Sequence, residues 1–108
     1  MAFTRKKVAS YKWPVTVEIP ADGGGFDKAT FTIDFKKLGR TAFNDLIDQG
    51  DEALVNEIVQ GWEDYVDENG KAIPCTKATK RELLDDHHVL RAVIAAYSES
   101  MVGAQVKN

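Results

Sequence analysis

Cys75, His87 and His88 are the residues of this chain with the richest potential chemistry, followed by Asp67, Asn69 and Gly70. A thiol and two imidazoles invite a zinc reading. Zinc sites use spacings such as Cys-x-x-Cys or His-x-x-x-His, which gather ligands on one side of a turn or helix. Here the histidines are adjacent, so on a helix they point about 100° apart, and no fourth ligand is nominated. The thiol with a nearby histidine is also a candidate nucleophile, but no oxyanion donor or orienting third group stands at a recognisable spacing. The residues read instead as a structural thiol and two surface histidines at a helix start. Asp67-x-Asn69-Gly70 faintly resembles a calcium loop, but setting Gly70 at its sixth position puts Tyr65 first and Thr76 last, where acids are required. Gly23-Gly24-Gly25 lacks both the Gly-x-Gly-x-x-Gly spacing and the Lys-Ser/Thr of a phosphate loop, and reads as a hairpin connection. The acids at 63–68 read as turn residues rather than a catalytic pair. No catalytic residue, metal or cofactor is expected, which favours an interaction protein over an enzyme.

The elements around these residues are legible from periodicity. In 13–19, Trp13, Val15, Val17 and Ile19 alternate with polar residues; in 29–36, Phe31, Ile33 and Phe35 do the same. Two such runs predict an antiparallel hairpin over about 13–20 and 28–36, with Pro14 at a strand start or on an edge. An isolated hairpin is marginal in water, so helices must cover its apolar face. Thr41 is expected to cap a first helix with Phe43, Leu46 and Ile47 inward, ended by Gly50. Asp51 is expected to cap a second over 52–62, with Leu54, Val55, Ile58, Val59 and Trp62 on one face and Gly61-Trp62 closing it. The indole of Trp62 reads as core, with its N–H paired nearby. Asp67-Glu68-Asn69-Gly70 is turn chemistry, and Ile73-Pro74 leaves it extended. Thr79-x-x-Glu82 reads as a capping box for a short helix over 80–85. Asp86 caps a last helix running to about Val102, with Val89 or Leu90, then Val93, Ile94, Tyr97 and Met101 inward and Gly103 as its terminator. The expected fold is α+β: an N-terminal antiparallel β-hairpin packed against about four short helices. The domain spans 13–103, between a basic flexible arm at 1–12 and a frayed tail at 104–108.

The order helix, Gly61-Trp62, Val66-Asp67-x-x-Gly70-x-x-Ile73-Pro74, capped helix resembles the small tail assembly chaperones of long-tailed bacteriophages and prophages. Leu83, Leu84, Arg91, Ala92, Ala96 and Tyr97, then the closing Lys107-Asn108, fit the same pattern, which extends over most of the chain. Cys75, where a bulkier apolar residue belongs, and the tripled glycine are departures. The resemblance implies a protein that binds the long helical tape-measure protein in the host cytoplasm and helps recruit tail-tube subunits. It implies absence from the finished virion, and a family habit of frameshifted longer products.

Composition agrees with a small interaction domain. At 108 residues, 44% hydrophobic and 29% charged, the chain can build one modest core. No apolar run approaches the length of a membrane span, no apolar stretch follows the basic N-terminus as in a signal peptide, and one cysteine cannot form an internal disulfide; a cytosolic protein is expected. The net charge of −3 conceals a basic start, with Arg5, Lys6, Lys7 and Lys12. It also conceals an acidic middle running from Asp45 to Glu68 without a base. That middle suggests a surface for a basic partner, and with the amphipathic client that the resemblance implies, Glu57, Trp62, Glu63 and Asp64 are the candidate contact residues. Exposed hairpin edges suggest weak self-association. The alternatives are a structural virion component, such as a tail-completion or head–tail joining protein, and a nucleic-acid-binding regulator using the basic arm with Tyr11 and Trp13. The acidic balance argues against the regulator, and nucleic acid is not an expected partner.

Overall fold

The computed structural model describes residues 2–4 and 8–102. The basic residues Arg5, Lys6 and Lys7, the terminator Gly103 and the tail at 104–108 lie outside the described residues. The fold is α+β. Strand β1 (Ser10–Pro20) pairs antiparallel with β2 (Phe26–Lys36), and helices α1 (Arg40–Gln49) and α2 (Asp51–Ile58) follow. A third strand, β3 (Val59–Glu63), then joins the other side of β2. Helices α3 (Lys77–Asp85) and α4 (His87–Val102) complete the chain. The sheet is three-stranded, in the order β1-β2-β3.

The hairpin register places Tyr11, Trp13 and Val15 opposite Phe35, Ile33 and Phe31, all on the face that meets the helices. Its other face carries Lys12, Thr16, Glu18, Lys28, Thr30 and Lys36 and is polar. Lys37 N–H donates to the Ala9 carbonyl at 2.9 Å, which sets the phase of the ladder. Pro14, Thr16, Glu18 and Pro20 therefore sit at pairs not bonded to β2, and their backbone groups face the free edge of β1. The two prolines remove donors from that edge alone and leave the β1–β2 ladder complete.

Strand β3 corrects the helical reading of 52–62. The second helix stops at Ile58, and Gly61-Trp62 lie in a strand rather than at a helix end. Val59 pairs with Phe35 and Trp62 with Ile33, with a bulge between them that takes up Gln60. A residue spacing of three, natural to a helix, thus keeps both side chains inward on a strand, because the extra residue resets the alternation. Gly50 rather than Asp51 is the N-cap of α2, and Gly39 rather than Thr41 precedes α1. Ile47 points outward, 47% exposed. The capping box lies one turn earlier than the Thr79-x-x-Glu82 reading. The Thr76 hydroxyl accepts from Thr79 N–H at 3.2 Å, and the Thr79 hydroxyl accepts from Thr76 N–H at 2.8 Å. Asp86 caps α4 as expected, its carboxylate accepting from His88 and Val89 N–H.

The core is Val15, Val17, Phe31, Ile33 and Phe35 from the hairpin, Leu54, Val55, Ile58 and Val59 from α2 and its junction with β3, Leu83 from α3, and Val89, Val93, Ala96 and Tyr97 from α4. Burying such side chains stabilises by roughly 1.5–3 kcal/mol each. The far end of the hairpin projects beyond this core, leaving Ile19 45% and Phe26 61% exposed.

Candidate functional site

The four candidate contact residues do not form one patch of free charge around an aromatic. Glu57, on α2, is engaged by Lys36 from β2. Glu63, on β3, is engaged by Lys12 from β1, an ion pair that spans the polar face over the central strand. The Glu63 hydrogen bond and charge push the Lys12 ammonium above its usual range, though so exposed a pair contributes little to stability. Asp64 is exposed at φ 63, where the chain turns out of β3.

Trp62 points the other way. Its indole N–H donates to the Ile73 carbonyl at 2.6 Å, and its ring packs on Tyr65, 4.8 Å between centroids. Tyr65 in turn packs on Phe31 at 4.8 Å. The Asp67 turn closes the same segment: its carboxylate accepts from Asn69 and Lys71 N–H, Ile73 N–H reaches the Tyr65 carbonyl at 2.9 Å, and Gly70 takes φ 79. Residues 62–74 are thus a compact hook, and the indole is a bolt within it.

An apolar cleft lies elsewhere, between the start of β1 and the end of α4. It is an open cleft of about 430 Å³, and Tyr11, Trp13, Leu38, Tyr97 and Met101 form most of its walls, with the exposed Lys37 beside them. Each wall follows from local rules. Alternation turns Tyr11 and Trp13 to the same face as Val15, and helical spacing sets Tyr97 and Met101 one turn apart on α4. Ser100 donates back to the Tyr97 carbonyl at 2.6 Å, so Tyr11 is the donor in its 2.7 Å bond to the Ser100 hydroxyl. The Tyr97 hydroxyl donates to the Lys36 carbonyl at 3.0 Å. Burial, helped by the nearby Tyr11 phenol and opposed by the backbone at Leu38, pushes Tyr97 up to about 12. These bonds engage the three hydroxyls of the cleft and leave a largely apolar surface, with Val8 and Met101 exposed beside it. Residues 10–12, expected in a flexible arm, belong instead to β1, and Tyr11 among them forms one wall of the cleft. The signal available was that Tyr11 continues the alternation of Trp13, Val15 and Val17.

Burial pushes the half-buried Cys75 thiol up, against a smaller opposite pull from Lys80, which disfavours the reactive thiolate. Among the described residues no three His, Cys, Asp or Glu side chains are grouped to hold a metal ion, and no helix is long and apolar enough to cross a membrane. Comparison with protein-family models, curated proteins and solved structures finds no match for this chain.

Proposed function

We propose that this protein is a phage tail assembly chaperone that binds the tape-measure protein in the bacterial cytoplasm, assists assembly of the tail tube and acts without catalysis. The observation that carries the reading is the apolar cleft of about 430 Å³ between β1 and α4. A long amphipathic client aggregates through its apolar stripe unless something covers it. An open cleft walled by aromatic and flexible side chains suits one turn of such a stripe at a time, and methionine adapts to varied contacts. The sequence resemblance supplies the identity of the client. Its Gly-Trp pair lies in a strand here, while its acidic turn and Ile-Pro exit form the hook closed by Trp62.

Co-expression with the tape-measure reading frame of the same phage or prophage tests the proposal. The client is expected to become soluble and to co-purify with this chain. Met101→Asp, at an exposed position in the cleft, is expected to reduce that yield while leaving the fold intact. A client that remains insoluble would overturn the reading, as would stoichiometric incorporation of the chain into purified particles, which marks a structural virion component.

A further inference from the structure

We propose that the free edge of β1 between Pro14 and Pro20 is a docking site for a short, extended, acidic segment of a partner protein, on a surface separate from the cleft. The ladder phase turns the N–H and C=O groups of Thr16 and Glu18 away from β2, and these groups have no hydrogen-bond partner among the described residues. Unpaired edge groups are a template for one more strand. Here the template is bounded, because Pro14 and Pro20 offer no donor at either end. Beside the edge runs an open groove of about 490 Å³, with Thr16, Glu18 and Phe26 on its hairpin side and His88, Arg91 and Ala95 of α4 on the other.

The charge of this groove selects its occupant. Glu18 is turned to Lys28 across the hairpin at 3.6 Å. Arg91 is exposed and has no ion pair among the described residues, and His88 stands one turn before it on the same helix. The uncompensated charge is therefore cationic. A strand laid along the edge directs alternate side chains toward α4, so acids at alternate positions meet Arg91 while the backbone bonds to Thr16 and Glu18. An apolar residue at the hairpin end of the segment meets Phe26, 61% exposed.

The test uses the full chain, labelled with nitrogen-15, and a capped synthetic peptide Glu-Val-Glu-Val-Glu. Added peptide is expected to shift the amide signals of Thr16 and Glu18 and slow their hydrogen exchange. Arg91→Glu, an exposed change, is expected to weaken binding about tenfold or more. Thr16→Pro removes a donor from the free edge only, as Pro14 does, and is expected to abolish binding with the sheet retained. Should Thr16→Pro unfold the chain, Arg91→Glu still decides. The proposal is overturned by equal binding of Lys-Val-Lys-Val-Lys, by undiminished binding to the Arg91 variant, or by shifts confined to Tyr11 and Leu38. It is equally overturned by an absence of binding, or by a peptide-free dimer that already occupies this edge.

Discussion

At the scale of single residues, hydrogen bonds from large aromatic side chains to distant carbonyls hold the architecture. Trp62 reaches Ile73 and Tyr97 reaches Lys36. Removing such a donor leaves a carbonyl unsatisfied in a poorly hydrated place, at a cost of about 1–3 kcal/mol. Trp62→Phe is therefore expected to lower unfolding free energy by about 1–3 kcal/mol in urea titration, with a loosened 64–74 segment. Tyr97 makes a separate prediction in alkali. Its folded value of about 12 lies above its ordinary value of 10.0, so the folded state holds the proton more tightly. The stability from this group is fully present below pH 10 and is lost as the pH rises toward about 12. Thermal midpoints measured across that range are expected to fall less steeply in Tyr97→Phe than in the wild type. The paired indole of Trp62 was readable in the sequence, since a tryptophan at the end of an apolar run needs a partner for its N–H. The pairing of Glu57 and Glu63 was not, because it depends on which strand lies beside which.

At the scale of elements, α1 is the weakest part. None of its residues is buried, and it is followed at once by Gly50 at φ 111 and ψ 170. An added Cβ at Gly50 meets nothing within 4 Å, so a substitution there is costly through backbone conformation alone. Gly50→Ala is expected to destabilise by about 1–3 kcal/mol. Hydrogen exchange should find the amides of α1 less protected than those of α4. The elements also show where periodicity misleads. The two strands of the hairpin obey strict alternation, and their pairing could be read directly. Val59 and Trp62 stand three apart, which fits a helix, yet the bulge at Gln60 lets a strand bury both. A bulge is set by the partner strand, so no count along one segment reveals it. The cap of α3 slipped by one turn for a related reason: Thr76 and Thr79 both qualify chemically, and the exit from Pro74 decides between them.

At the scale of the whole molecule, the proposed function could rest on the cleft or on the acidic surface, and variants separate the two. Met101→Asp alters the cleft, whereas charge reversal at Glu57, Glu63 and Asp64 alters the acidic surface and sets two reversed charges against Lys36 and Lys12. In the proposed reading the first change is expected to lower soluble client yield more than the second, and added salt to have a small effect on the bound complex. Association between copies has its own determinant. Pro14 withholds a donor from the free edge of β1, so Pro14→Val restores it without touching the β1–β2 ladder. Sedimentation velocity is expected to show concentration-dependent dimerisation through this edge in Pro14→Val and not in the wild type.

The contact between β1 and α4 also orders events during synthesis. Tyr11 and Ser100 are 89 residues apart, and the inner face of the hairpin finds much of its cover in the last helix of the described chain. A nascent chain can pair β1 with β2 early, because that contact is local, but Val15, Val17 and Phe35 keep an open side until α4 has left the ribosome. The earliest strand waits for the latest helix. A reading-frame change upstream of Val93 would therefore release a hairpin with its apolar face uncovered, whereas one beyond Val102 would leave every described element in place.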